Sequence, residues 1–302
     1  MLPRVLVFLA TGLVSVWVFQ TQTHHIDPVS VVPNLTATPV AAVNEADEPA
    51  FEYVDDDKLF HHGYEVRRVD DTGIDKRQDE HGHSQTFPID VSYVVIKQNE
   101  KTIAKFDGVT HPMGNLTDFG LFDLLGDKSQ QLIVSLSVPR GGNQWVVSLY
   151  PKFRVLFDGA DYGAGRETDD WFPLDIDKDG VFEISLPKTT FYGMEGLHSV
   201  GETPLPELVF KYDAKQMKYL PANHLFVDYA MRGWDPDKEK ESYQHHRFNY
   251  LLDCVFAGKE KEGWASFDKH YPSADKEIMK SRIKAILRND PVYKYIYQNG
   301  KR

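Results

Sequence analysis

The sequence predicts a mainly β protein with a C-terminal α-helical segment. Across residues 51–231, short runs of alternating apolar residues are separated by turn residues, which is typical of antiparallel hairpins. After Trp234 the apolar residues recur at intervals of three and four, the spacing of an amphipathic helix. The chain has 302 residues, of which 41% are hydrophobic and 13% aromatic, so it has enough apolar side chains for a packed core.

Charge and cysteine content exclude several classes of protein. The formal net charge is −11, so the chain lacks the basic surface that nucleic-acid binding requires, and we expect no nucleic-acid partner. The single cysteine, Cys254, excludes an intrachain disulfide and a multi-cysteine zinc site. Because Cys254 lies in an apolar run, we expect a buried, structural thiol.

The N-terminus carries the pattern of an export segment. Residues 5–19 are an uncharged, mostly apolar run that follows Arg4 and is shorter than a full membrane span. We therefore expect residues 1–23 to be a signal peptide or, if uncleaved, an N-terminal membrane anchor. Residues 24–50 contain three prolines and predict a flexible tether. The protein is expected to be exported, to the periplasm or the extracellular space, and to touch a membrane only through an uncleaved anchor.

Three hairpins are expected within the β-domain of residues 51–231. The first joins residues 91–95 to 102–106, the second joins 132–138 to 145–149, and the third joins 208–212 to 217–219. In each pair the alternating apolar residues stop at a turn and then resume. No alternation of strands with long helices, the pattern of doubly wound α/β proteins, is present in this region.

Residues 232–302 are expected to form a helical tail of three helices. The first opens after Asp235 and ends at Gly258. The second covers residues 261–270, and the third covers 274–288 with both Ile278 and Met279 on its inner face. This tail is expected to pack on the β-domain or to recruit a partner.

The strongest chemical motif is the D-x-D-x-D-G-x-x-E sequence that begins at Asp175. Carboxylates at positions one, three and five can converge on one hard cation, and the glycine permits the sharp bend that this convergence needs. Six to eight oxygen ligands suit calcium. The expected ligands are four carboxylates and one backbone carbonyl: Asp175, Asp177, Asp179, Glu183 and the carbonyl of Val181. The alternative is an acidic hairpin turn exposed to solvent and without a metal.

Position twelve of this loop indicates which structure carries it. A helix–loop–helix calcium site would have a bidentate glutamate there, whereas this chain has Leu186. Phe182, Ile184 and Leu186 alternate with less apolar residues until Pro187. The loop is therefore expected to enter a β-strand.

Residues 175–186 resemble the calcium loop of FG-GAP, or VCBS-type, repeats, which are known from integrin α-subunit β-propellers and many bacterial secreted proteins. A degraded copy starts 52 residues earlier, with Asp123 and Asp127 at positions one and five. The resemblance spans about residues 119–187. It implies a structural calcium ion and ligand recognition elsewhere on the molecule. Because the β-domain is too short for a complete ring, we expect a partial propeller-like or sandwich arrangement.

The function expected from these observations is that of an exported, non-enzymatic, calcium-binding β-domain protein that serves as a binding or interaction module for a protein or glycan partner. The sequence has no nucleophile elbow, zinc-protease helix, Walker loop or dinucleotide fingerprint. The alternative is an extracytoplasmic hydrolase that acts on glycans or phosphoesters with loop carboxylates as its catalytic groups.

Overall fold

The computed structural model describes residues 52–53, 57–78, 84–107, 116–138, 141–165, 173–192, 194, 203–232, 244–271 and 274–299. The expected signal peptide or anchor (1–23), the expected tether (24–50) and the expected helix start at Asp235 lie outside these residues. Among the described residues, no helix is both long and apolar enough to cross a membrane.

The described part of the chain is mainly β, with a C-terminal helical segment. Its strands are β1 (Glu52–Tyr53), β2 (Lys58–His61), β3 (Tyr64–Gln78), β4 (Ser84–Gln98), β5 (Lys101–Phe106), β6 (Leu116–Phe122), β7 (Gln131–Val138), β8 (Gly141–Ser148), β9 (Arg154–Asp158), β10 (Ile184–Pro187), β11 (Glu207–Asp213) and β12 (Lys218–Pro221).

These strands form three antiparallel sheets, in the orders β2-β3-β4-β5, β1-β6-β7-β8-β9 and β10-β11-β12. Within each sheet, neighbouring strands are consecutive in the chain, except that β1 pairs with β6. The described residues form no closed barrel or propeller.

The three expected hairpins are confirmed by strand pairing. β4 pairs with β5, β7 with β8, and β11 with β12, all antiparallel. The turn between β4 and β5 has positive φ at Asn99 (50°) and Glu100 (62°), the backbone twist that a two-residue hairpin turn requires. The β3–β4 hairpin, whose paired strands extend to Gln78 and Ser84, is not among the three that the alternation predicts.

β7 contributes to two hydrophobic cores, one on each face. Leu132, Val134 and Leu136 pack with buried residues of β3, β4 and β5. Ile133, between them, packs with residues of the third sheet and of the helices. The alternation in this strand therefore separates two buried faces, and it does not separate a buried face from a solvated one.

The helices are α1 (Val227–Ala230), α2 (Gln244–Phe256), α3 (Glu260–His270), α4 (Lys276–Asn289) and α5 (Pro291–Lys294), with a 3-10 helix at Gly159–Tyr162 and a π-helical turn at Tyr295–Asn299. Gly258, with a φ of 81°, follows the end of α2 as expected. The placement of Ile278 on the inner face of α4 is wrong. Ile278 is 55% exposed and Met279 is buried, because neighbouring helical residues point about 100° apart.

The tail helices and the third sheet share one core. Leu251, Leu252 and Phe256 of α2 belong to the same buried cluster as Leu186 and Phe210 of the sheet. Cys254 is buried in this helix, as expected for a structural thiol, and burial raises the pKa of its thiol to about 12.

Candidate metal centre

Carboxylates of the acidic loop accept hydrogen bonds from backbone N–H groups of the same loop. The Asp175 carboxylate accepts from the N–H groups of Asp179 and Gly180, both at 3.0 Å, and the Asp179 carboxylate accepts from Val181 N–H at 2.9 Å. Gly180 has a φ of 83°, the left-handed conformation that favours glycine. These backbone N–H groups thus fix the orientation of the Asp175 and Asp179 carboxylates.

The two ends of the loop are hydrogen-bonded to each other directly before β10. Leu174 and Glu183 exchange two backbone hydrogen bonds, at 3.1 and 2.7 Å. Directly after Glu183 the chain enters β10, where Leu186 is buried. The expectation that the loop continues into a strand is therefore confirmed.

Three carboxylates meet on a lysine that the sequence did not indicate. The Lys211 Nζ atom lies 2.8 Å from Asp177 Oδ2, 2.8 Å from Asp179 Oδ2 and 2.9 Å from Glu183 Oε1. The second oxygen of Glu183 accepts from Ile176 N–H at 2.9 Å. A single positive charge therefore stands at the centre of the loop and comes from the adjacent strand β11.

Burial and charge shift the ionisation of this cluster. Burial alone would lower the pKa of Lys211, but its hydrogen bonds to the carboxylates outweigh burial and raise that pKa above its ordinary value. The hydrogen bond from Lys211 lowers the pKa of Asp179. Glu183 is fully buried, and burial raises the pKa of its carboxyl although Lys211 favours the charged form. Of the three, Glu183 depends most on a nearby cation for its charge.

The expected ligands enter this arrangement in different ways. Asp175, Asp177 and Glu183 each offer an oxygen within 4.8 Å of the others. Asp179 joins the cluster through Lys211, and Val181 takes part through its N–H group. The only sequence signal for Lys211 is its polar position in the alternating run of β11, which does not show what it faces.

The degraded loop around Asp123 shares two of the carboxylate hydrogen bonds of the acidic loop. Lys128 N–H, 52 residues before Gly180, donates to Asp123 at 3.1 Å. Ser129 N–H donates to Asp127 at 2.9 Å, as Val181 N–H does to Asp179. The two loops therefore share a local fold, and their carboxylates at positions one and five serve the backbone in the same way.

Two positive-φ positions of the loops correspond, whereas Gln130 (φ 40°) has no positive-φ counterpart at Phe182. Gly126 (φ 66°) matches Lys178 (φ 60°), and Lys128 (φ 65°) matches Gly180 (φ 83°). The paired residues Phe122 and Gln131 correspond to the bridge between Leu174 and Glu183. Each loop is followed by three antiparallel strands, β7-β8-β9 and β10-β11-β12. The described chain thus contains an internal structural repeat.

The degraded loop keeps this fold without its charge. Leu125 stands where the acidic loop has Asp177, and Gln131 stands where it has Glu183. The Gln131 side-chain oxygen accepts from Leu124 N–H at 2.8 Å, as Glu183 does from Ile176. Ser148 of β8 pairs with Gln131 and therefore occupies the position that Lys211 has beside the acidic loop. Because Gln131 is uncharged, a lysine at position 148 would have no buried carboxylate to neutralise.

The two loops are in direct contact. Phe182 N–H donates to the Leu124 carbonyl at 2.8 Å. A Cβ atom on Gly126 would lie 2.3 Å from the Gly180 carbonyl oxygen, closer than packing allows.

Comparison of the chain with protein-family models, with curated proteins and with solved structures gave no match.

Proposed function

We propose that this protein is an exported, non-enzymatic binding or interaction module for a protein or glycan partner, and that the loop from Asp175 to Glu183 binds calcium as a structural ion. The observation that carries the calcium proposal is the convergence of three carboxylates on one cationic atom, Lys211 Nζ, at 2.8–2.9 Å. A backbone that positions acids this closely needs positive charge among them.

The donor set fits a hard divalent cation. All side-chain donors are carboxylate oxygens, the ligand type that calcium prefers. The Lys211 ammonium offsets one of the four negative charges of Asp175, Asp177, Asp179 and Glu183, whereas calcium offsets two. Calcium binding therefore competes with Lys211, and it requires the lysine side chain to swing out of the loop.

The internal repeat supports a finer proposal about the fold. Each loop followed by a three-stranded meander resembles part of a propeller blade. The two faces of β7 are covered by different sets of residues, which suits layers stacked face to face. We propose that the β-domain is a partial propeller-like or sandwich arrangement of FG-GAP-like repeats.

The calcium proposal is tested by calorimetric titration of calcium into the wild type and Lys211→Met. Removing the competing ammonium should tighten calcium binding at least tenfold, and adding Asp177→Asn to the variant should abolish the gain. Lys101→Met, which alters an exposed lysine of β5, is the matched control and should leave binding unchanged. If Lys211→Met is folded and takes up no calcium, the proposal is wrong.

The competing proposal is an extracytoplasmic hydrolase acting on glycans or phosphoesters, and its glycosidase form requires two carboxylates facing one cavity. The cavity beside the β8–β9 turn has one lining carboxylate, Asp127, together with Lys152 and Arg154. This lining favours binding over glycoside hydrolysis at that place.

A further inference from the structure

A cavity of about 340 Å³ lies between the first repeat and the β11–β12 hairpin. Its walls come from the degraded loop, from the turn between β8 and β9, and from β9, β11 and the β11–β12 turn. The volume is at the lower end of the range for small-molecule sites, about 300–1,000 Å³. It is separate from the acidic loop, since none of Asp175, Asp177, Asp179, Glu183 and Lys211 lines it.

Among the described residues, two cations that line this cavity form no ion pair with a carboxylate. Arg154 is half-buried, and its guanidinium donates to the Met217 sulfur at 3.0 Å, a weak acceptor. Within the part of the chain that the structure describes, no carboxylate forms an ion pair with Arg154 or with the exposed Lys152. Most of the hydrogen-bonding capacity of the guanidinium is therefore available to a ligand.

The remaining lining adds another donor and an apolar surface. Tyr212 also lines the cavity, and its phenol is protonated at neutral pH and can donate a hydrogen bond. Leu125, Leu156 and Met217 supply apolar surface. The site can thus accept a ligand that has an anionic group and an uncharged body.

The net charge of the cavity lining favours a monoanion over a more highly charged anion. Lys152 and Arg154 carry two positive charges, and Asp127, which accepts from Ser129 N–H, carries one negative charge. The lining therefore has a net charge of +1 within a chain whose net charge is −11. A monoanion neutralises this lining, whereas a phosphate, at about −1.5 to −2, overcompensates it.

We propose that this cavity binds a small monocarboxylate whose carboxylate pairs with the Arg154 guanidinium and whose uncharged body rests on the apolar wall. Guanidinium and carboxylate form two parallel hydrogen bonds, a geometry that favours arginine over lysine at such sites. The proposal does not depend on calcium binding, because it uses none of the residues of the acidic loop.

The test is calorimetric titration of the full chain with glucuronate and with benzoate, each paired with an uncharged counterpart, glucose and benzyl alcohol. At least one carboxylate should bind, its uncharged counterpart should bind at least tenfold more weakly, and higher salt should weaken binding. Which acid binds more tightly distinguishes a sugar body from an aromatic one. Inorganic phosphate should bind more weakly than that acid.

Variants connect the binding to the cavity. Arg154→Met should reduce the carboxylate affinity at least tenfold, and Lys152→Met should reduce it by a smaller factor. Lys101→Met, on another sheet, should leave it unchanged. Lys152 is exposed, so its substitution keeps the test valid if Arg154→Met fails to fold. The proposal is overturned if neither acid binds at 10-mM-scale concentration, if phosphate binds more tightly, or if every one of these two variants that folds retains wild-type affinity.

Discussion

A buried ion pair attaches the C-terminal helices to the end of β10, and breaking it should destabilise the protein strongly. Lys188 Nζ lies 2.5 Å from Asp290 Oδ2, and both side chains are 0% exposed. The lysine also donates to the Tyr162 carbonyl. The other oxygen of Asp290 caps α5 by accepting from Val292 and Tyr293 N–H, at 2.9 and 3.0 Å. One carboxylate thus joins the sheet to the last helix.

The expected loss follows from burial. Burial lowers the pKa of Lys188, although Asp290 opposes this effect, so the lysine charge is costly without its partner. Lys188→Met leaves the buried Asp290 carboxylate uncompensated, and removing one member of a buried pair costs about 3–5 kcal/mol. Asp290→Asn should have a similar cost, even though asparagine retains an oxygen for the helix cap. The double variant should be more stable than the sum of the two losses implies, because it buries no charge.

The assay is thermal and urea unfolding of the wild type, both single variants and the double variant. A loss of 3–5 kcal/mol should lower Tm by about 6–20 °C in a domain of this size. Additive losses, or a loss below about 1 kcal/mol for each single variant, would refute the assignment of a coupled buried pair. Lys101→Met is the control for the removal of an exposed lysine, and its Tm should stay within about 2 °C of the wild type.

Two further predictions concern the contact between the loops and the pH dependence of stability. In urea unfolding, Gly126→Ala should destabilise the protein by about 1–3 kcal/mol more than Gly180→Ala. Both glycines have positive φ, but only a Cβ atom on Gly126 would collide with backbone atoms. Equal losses of stability for the two variants would contradict the contact between the loops. Burial raises the pKa of Asp253 to about 8, so its stability contribution is full below about pH 4 and is lost as the pH rises towards 8. The stability of Asp253→Asn relative to the wild type should therefore increase from pH 5 to 8, by up to about 1.4 kcal/mol per pH unit, and a constant difference would contradict the shift.

The spacing of apolar residues predicts those strands and helices whose pattern lies within their own sequence. The β7–β8 and β11–β12 hairpins and the helices α2, α3 and α4 were each indicated by the spacing of their own apolar residues. The spacing could not show that Ile133 and Leu132 enter different cores, because a strand buried on both faces differs from a half-buried one only in what packs on it. Ile278 was misplaced for a similar reason, since an apolar residue at the edge of the helical stripe can lie in solvent.

The acidic loop shows the same limit at the level of the site. Its motif predicted the bend at Gly180 and the entry into β10, both of which depend on neighbouring residues. The motif could not indicate Lys211, which reaches the loop only through the register of β10 and β11. The partner of Lys188 lies even farther away in the sequence, since Asp290 is brought to it by the packing of α5.

The central claim, a calcium site in the loop from Asp175 to Glu183, is tested most directly by thermal unfolding of the wild type and Asp177→Ala, each with calcium and with chelator. Calcium at 100 times its dissociation constant should stabilise the wild type by about 2.7 kcal/mol and raise its Tm, and it should leave Asp177→Ala nearly unchanged. If each protein melts at the same temperature with calcium as with chelator, the loop is a lysine-neutralised turn and the claim is contradicted.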